Sequence, residues 1–299
     1  MNSQTDFERL QLIFRRSLTL PELQGAVYRL INAIDSKETS VIDLERIISS
    51  DPYLTANLLR VAAGTIGSDE RSAGTLRNAI MRLGFRAMRS LAVSILLQSL
   101  VSKHEYTNGF DPDRFARHSL FVGFMSRYLF ARRHQVEPFD TDWTADEVFA
   151  AGLLHDMAAG LLAHLAPESF QRVYQFAHRS GLSLEASFTR IFGARLGILG
   201  STAAAAWNLP EVFVRVMSKV DQPWEEDEEY TALCCIHYAN HVAHLRGVSL
   251  CPWNPLDECP PEVELEVKFP AEEIERACEV VERHTAAYLE GTKPVGAAA

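Results

Sequence analysis

Apolar residues recur at intervals of three and four through almost the whole chain, as at Leu23, Val27, Leu30, Ile31 and Ile34, and again at Leu44, Ile47 and Ile48. This spacing lines one face of an α-helix, and its persistence predicts an all-α fold. Side chains able to satisfy free backbone amides mark the helix starts. Ser40 precedes the segment Asp43 to Ser49, Asp51-Pro52 precedes Tyr53 to Ala63, and Thr144 precedes Asp146 to Leu154. Glycines at 64, 67, 74, 84, 109 and 181 punctuate the pattern and keep most helices short.

The polar stretch Lys103 to Gly109 interrupts the periodicity and predicts a boundary between Ser102 and Asp113. Four regions follow: an N-terminal helical extension over 1–17, a first helical half over 18–105, a second over 106–250, and a last region over 251–299. That last region opens on the Pro-rich stretch Cys251 to Pro261. It continues in an amphipathic helix begun near Pro270, with Glu272 and Glu273 in its first turn and Ile274, Ala277, Cys278, Val281 and Leu289 along it. A disordered tail is expected over Val295 to Ala299. The acidic run Trp224 to Glu229 reads as a solvated loop whose Trp224 marks a candidate interface.

With 299 residues, 47% of them hydrophobic, the chain can bury a substantial core. A net charge of −10 argues against broad nucleic-acid binding, which requires a concentrated excess of Lys and Arg. No basic segment followed by an apolar core opens the sequence, and no stretch of about 18 residues is apolar and free of charge. The expectation is a soluble, cytoplasmic protein with no membrane partner. Its five cysteines, 234, 235, 251, 259 and 278, show no Cys-x-x-Cys spacing and read as reduced thiols. A zinc site from Cys251 and Cys259 lacks the usual paired short spacings.

The run Ala151-Gly152-Leu153-Leu154-His155-Asp156-Met157 holds an imidazole and a carboxylate side by side. Both donate well to a divalent transition metal, and neighbours on a helix point about 100° apart, so both can reach one ion. Two ligands hold no metal firmly. His118, one helix and one loop upstream, suits a partner on a packed helix. His237, His241 and His244 share a helical face, either as hydrogen-bonded imidazoles or as further ligands. Arg82, Arg86 and Arg89 are placed by their spacing on one face, with Arg77 nearby, where a phosphate, nucleotide or acidic partner could dock or where intramolecular ion pairs could form. Arg127, Arg132 and Arg133 pose the same alternative.

His118 followed by Leu153-Leu154-His155-Asp156 resembles the first three metal ligands of the HD superfamily of metal-dependent phosphohydrolases. Leu20-Pro21-Glu22-Leu23, Ser50 to Arg60 and Asn78-Ala79-Ile80-Met81-Arg82-Leu83-Gly84 resemble the HDOD family more specifically, and Trp207-Asn208-Leu209-Pro210 extends the likeness, which runs from about Leu18 to about Arg246. The resemblance implies an HD-domain-like helical bundle with an N-terminal helical subdomain packed on it. Region 18–105 is then the N-terminal half of an HDOD module and region 106–250 a degenerate HD-like half. Such modules occur in bacterial regulatory proteins and are generally regarded as lacking demonstrated hydrolase activity.

Against the HD pattern, Asn240 stands where the last Asp ligand is expected, and its neutral carbonyl oxygen is a weaker donor. The imidazoles that complete binuclear HD sites are expected near Leu196 and near Val220-Asp221, and neither is present. Ala158-Ala159 replace the Gly-Lys that follows His-Asp in active HD-GYP phosphodiesterases. The expectation is a non-catalytic signalling module that binds a protein partner, a nucleotide or another small ligand through a degenerate HD cleft. Its candidate metal ligands are His118, His155, Asp156 and Asn240, for at most one divalent transition metal, and its candidate ligand- or partner-binding residues are Arg82, Arg86, Arg89, His237 and His241. The alternative is a weak metal-dependent phosphohydrolase acting on nucleotides or cyclic dinucleotides.

Overall fold

A computed structural model describes residues 3–16, 39–50, 75–102, 106–207, 211–223, 229–253 and 258–292, together with Arg29, Leu30, Ala33, Thr55, Leu58, Leu59, Leu209 and Asp227. The described residues form helices and no strand. In chain order these are α1 (Ser3–Arg15), α2 (Val41–Ser49), α3 (Leu76–Ser102), α4 (Pro112–Val136), α5 (Ala145–Leu154), α6 (Met157–Leu165) and α7 (Pro167–Ser180). There follow α8 (Leu184–Phe192), α9 (Leu196–Ala206), α10 (Glu211–Lys219), α11 (Tyr230–Leu245), α12 (Pro261–Val267) and α13 (Ala271–Thr292). The stretch from Tyr53 to Ala63, Trp224 and the tail 295–299 lie wholly or largely outside the described residues.

The expected helix starts have physical counterparts. Ser40 accepts from the Asp43 amide while the Asp43 side chain reaches back to the Ser40 amide, and Thr144 and Glu147 make the same reciprocal pair at the start of α5. Asp111 caps α4 ahead of Pro112. Helices α7 and α8 end on Gly181 and Gly193, both in the left-handed conformation that closes a helix.

Helix α3 carries a break in its backbone. Gly84 takes φ 72° and ψ 167°, which breaks the helix in two. Only glycine tolerates this backbone region, so Arg82 lies before the break and Arg86 and Arg89 after it. The break falls inside the stretch whose spacing predicts a single arginine face, and α3 continues on both sides of it. Arg82 is exposed, and the side chains of Arg86 and Arg89 are not among those described.

Two apolar cores fill the molecule. The first gathers residues of α2, α3, most of α4 and α5, α10, α11, α12 and α13. The second gathers Leu10 and Phe14 of α1 with residues of α6, α7, α8 and α9. Three segments of the chain cross the seam between them. On α4, Phe115 belongs to the second core and Leu120 to the first, with His118 between. At the end of α5, Leu153 belongs to the first core and Leu154 and Met157 to the second, with His155 and Asp156 in the same interval. After α11, Val248 packs on the first core and Cys251 lies in the second. A seam between cores is where polar groups can be enclosed without displacing close-packed apolar side chains.

The stretch Ala145–Leu165 is long and apolar enough to cross a membrane, but 83% of its most apolar window is buried inside the fold. The His155-Asp156 turn divides it into α5 and α6, so its apolar character serves the two cores.

Candidate functional site

His155 and Asp156 sit on the turn that joins α5 to α6, not within a helix as their flanking pattern suggests. His155 ends α5 with helical angles, and Asp156 leaves them at φ −99° and ψ 18°. The break changes the direction in which the two side chains point, and both turn towards His118 on α4. His118 is fully buried, His155 is 5% exposed, and the Asp156 side chain is 28% exposed. The carboxylate is thus the member of the group nearest solvent.

The two imidazoles are oriented by backbone carbonyls. His118 Nδ1 lies 2.7 Å from the Val248 carbonyl oxygen, and His155 Nδ1 lies 2.7 Å from that of Gly152. A carbonyl only accepts, so both rings carry a proton on Nδ1 and turn Nε2 towards each other. Nε2 of His118 stands 3.3 Å from Nε2 of His155 and 3.2 Å from Asp156 Oδ2, which is 3.4 Å from His155 Nε2. Among the described residues this is the group of His, Cys, Asp and Glu donors that converges closely enough to hold a metal ion.

Three acceptors converging on one point repel one another unless positive charge sits among them. In the protein alone a proton supplies it. Burial disfavours a charged His155, but the adjacent Asp156 carboxylate outweighs burial and raises the imidazole above its ordinary value. Burial likewise opposes ionised Asp156, yet the His155 charge and hydrogen bonds from both imidazoles hold its carboxyl well below the usual range. These donors fit a metal ion chemically: two imidazole nitrogens, each fixed by a carbonyl behind it, and one carboxylate are borderline ligands for a divalent transition metal. A bound ion would supply Lewis-acid polarisation of a coordinated oxygen.

The surroundings of the triad are part apolar and part acidic. Leu196 lies in the second core, 6% exposed, and its amide is taken by Glu185 at 3.0 and 3.2 Å. Gly197 follows so close to α10 that a Cβ there would stand 2.5 Å from the Met217 carbonyl oxygen and 3.5 Å from Asp221 Oδ2. Burial first, and the Asp221 charge second, push Glu185 up to about 8. Glu185, Asp221 and Asp156 thus make the surroundings acidic.

A pH dependence follows from Glu185. Its folded pKa lies above its unfolded value near 4.5, so the folded state holds a proton that the unfolded chain releases. Stability contributed by this group is therefore lost as pH rises from about 4.5 to about 8. Glu185→Gln keeps an oxygen for the Leu196 amide and removes the ionisation. It is expected to raise stability over wild type by about 1–3 kcal/mol at pH 8 and to give no gain at pH 4.5, as read from urea unfolding at both pH values. An equal gain at both would assign the effect to packing.

The other expected residues fall into separate places. His237 donates from Nδ1 to the Val220 carbonyl at 2.9 Å, which turns it towards the end of α10. His241 packs near Tyr238. His244 packs its ring against His118, with centroids 5.7 Å apart. Asn240, one turn before His244, has a buried Oδ1 with no hydrogen-bond partner. Arg77 pairs with Glu45, Arg127 with Asp146 and Arg132 with Glu273, while buried Arg133 donates to the carbonyls of Glu266 and Glu137. Most of the arginines singled out from the sequence therefore serve intramolecular pairing.

No motif in the sequence singles out Glu185 or the Val248 carbonyl, and Cys251 stands in it only as a reduced thiol. Cys251 lies close enough to Asp156 for the carboxylate charge, after burial, to help push its thiol up to about 12. No disulfide joins cysteines among the described residues, and Cys251 and Cys259 enter no cluster of metal donors there.

A family model described as the HDOD domain matches residues 20–223. Among solved structures the chain is similar to an HDOD domain protein of unknown function from Geobacter sulfurreducens, with a TM-score of 0.63 at 17% identity over 96% of this chain and 97% of that one. It is similar to a candidate signal transduction protein from Marinobacter aquaeolei VT8, with a TM-score of 0.67 at 18% identity over 98% of this chain and 66% of that one. A candidate metal-dependent phosphohydrolase from Shewanella amazonensis SB2B gives a TM-score of 0.63 at 18% identity over 96% and 99% of the two chains. At these identities the likeness is one of fold. No curated protein matches the chain.

Proposed function

This chain belongs to the HDOD domain family, and from that membership we propose that it is a non-catalytic regulatory module of bacterial signalling, cytoplasmic in location. It receives a protein partner or a small ligand through the cleft around His118, His155 and Asp156. The single observation that supports this reading is Leu196, which stands about where the resemblance to HD hydrolases expects an imidazole for a second ion. Leu196 is buried in apolar surroundings there, and its amide is committed to Glu185. Two-metal hydrolysis clamps the attacking and leaving oxygens between paired cations, and one triad of donors cannot supply that clamp. The carboxylates of Asp156 and Asp221 also oppose the approach of a multiply charged phosphate.

One observation favours a second reading, a weak metal-dependent phosphohydrolase acting on nucleotides or cyclic dinucleotides: the convergence of three preoriented donors. The two readings separate in a turnover assay. The full chain is incubated with manganese(II), iron(II) or nickel(II) and with an activated phosphodiester or cyclic dinucleotides. Turnover is expected to be no higher than that of a His155→Ala/Asp156→Ala variant. Metal-dependent turnover that disappears in that variant would replace the signalling reading with the hydrolase.

A further inference from the structure

We propose that the outer face of α1 is a docking surface for an acidic, leucine-bearing segment of another protein. The inference goes beyond the reading of the cleft and does not depend on what the cleft receives.

The sequence of α1 gives it two unlike sides. At about 100° per residue, Phe7, Leu10 and Phe14 share the inner side. Leu10 and Phe14 are buried in the second core, the Phe7 ring meets Phe188 edge-on at 6.3 Å, and the helix packs on α6, α8 and α9. Arg9, Leu12, Ile13 and Arg16, at successive helical neighbour positions, fall on the outer side, and all four are exposed. Leu12 is 49% and Ile13 38% exposed, and neither belongs to the two cores. Two large apolar side chains thus stand together in solvent, with an arginine a turn before them and another a turn after. An apolar patch rimmed by charge in this way marks a place where another surface packs.

The charge of this face is opposite to that of the molecule, which carries −10 overall. Asp6, the acidic side chain on the flank of the stripe, is sheltered and lies 3.9 Å from Arg172 of α7, whose own side chain stays 54% exposed. The Arg172 guanidinium also lies over the Phe192 ring, 5.7 Å from its centroid, which holds it beside α1. Arg179, two turns further along the same side of α7, is exposed as well. All these cations are arginines, whose planar fork pairs with carboxylates and which are enriched at protein interfaces where lysine is depleted. An acidic segment bearing leucines complements both features, with carboxylates for Arg9, Arg16 and Arg172 and hydrocarbon to cover Leu12 and Ile13. Two exposed apolar side chains are too few to seat a helix in a lipid surface. The negative charge of the rest of the molecule opposes a nucleic acid longer than the stripe.

The test uses the full chain and a fluorescein-labelled peptide of leucine and glutamate, with the leucines at helical spacing, followed by fluorescence anisotropy. Saturable binding that weakens with added salt is expected. Leu12→Asp and Arg9→Glu, both at exposed positions, are each expected to weaken it at least tenfold while circular dichroism and thermal unfolding match wild type. Arg46→Glu, at an exposed arginine of α2, is expected to leave the affinity unchanged. No saturable binding, unchanged affinity in the two α1 variants, or an equal loss in Arg46→Glu would each overturn the proposal. Tighter binding to phosphatidylserine vesicles or to a single-stranded oligonucleotide than to the peptide would overturn it in favour of lipid or nucleic acid. A dimer in sedimentation that Leu12→Asp dissociates would overturn it in favour of a second copy of the chain. None of these outcomes is decided by turnover, so the reading of the cleft stands or falls separately in the phosphodiester assay.

Discussion

Gly152→Val is expected to destabilise the protein by about 3 kcal/mol or more, a large part of the roughly 5–15 kcal/mol that holds a typical native protein together. The reason is the close crossing of α4 and α5. A Cβ at position 152 would stand 2.9 Å from Ser126 Oγ, 3.0 Å from the Gly123 Cα and 3.2 Å from the Val122 carbonyl oxygen. Two of those three atoms are backbone and cannot swing aside. Gly123 faces the same crossing from the other helix, with Leu153 Cγ at 3.1 Å and the Phe149 carbonyl oxygen at 3.2 Å from its own Cβ position. The helices must separate to admit a side chain, which opens the first core along its length.

The same substitution acts on the site, because the Gly152 carbonyl fixes the His155 ring. Urea unfolding and cobalt binding measured on one set of variants are expected to fall together for Gly152→Val and, to a smaller extent, for Gly152→Ala. Gly200→Ala is the contrast. There the nearest atom is the Ala158 Cβ at 3.3 Å and the next two are 3.8 Å or more away, while alanine in a helix gains up to about 1 kcal/mol over glycine. A near-neutral Gly200→Ala beside a strongly destabilised Gly152→Val is the expected pattern. Equal losses at both positions would show that general core crowding, not the α4–α5 crossing, sets the cost.

What the sequence makes legible is local, and what it hides is tertiary. Periodicity identifies the helices because each has to bury one face, and Ser40 and Thr144 announce their helices because capping is a contact over three residues. His118, His155 and Asp156 come together as the resemblance implies, since their spacing reflects two packed helices and a short return. The turn at His155-Asp156 is hidden, because Met157 and Ala158 continue the apolar pattern straight through it. Gly84 is visible as punctuation, and its backbone angles do break the helix between Arg82 and Arg86.

Nothing in the spacing of Glu185, Val248 or Cys251 points to the site either. Glu185 reaches Leu196 across the bend between α8 and α9, and Val248 meets His118 across 130 residues of sequence. Such contacts depend on how helices are stacked, which no single-helix pattern encodes. The placement of the triad at the seam between two cores belongs to the same class. It becomes visible only when Phe115 and Leu120, five residues apart but in different cores, are seen on either side of His118.

Asn240→Asp is expected to have opposite effects in the absence and presence of metal. The Asn240 Oδ1 is buried without a hydrogen-bond partner, one helical turn before His244, whose ring packs on His118. A carboxylate there puts negative charge at a half-buried position where Oδ1 has no hydrogen-bond partner among the described residues, which costs about 1–3 kcal/mol of stability in metal-free protein at neutral pH. The resemblance to HD hydrolases assigns their last metal ligand to position 240, so a cation held by His118, His155 and Asp156 is expected to find in that carboxylate a fourth donor. Cobalt affinity is then expected to rise at least tenfold over wild type, and saturating cobalt to restore most of the lost stability, since a ligand that binds only the folded state stabilises it by about 2.7 kcal/mol at one hundred times Kd. Thermal unfolding with and without cobalt checks both halves. If the variant loses the same stability in each condition and binds cobalt no more tightly, Asn240 stands outside the reach of the ion, and the site ends at its three donors.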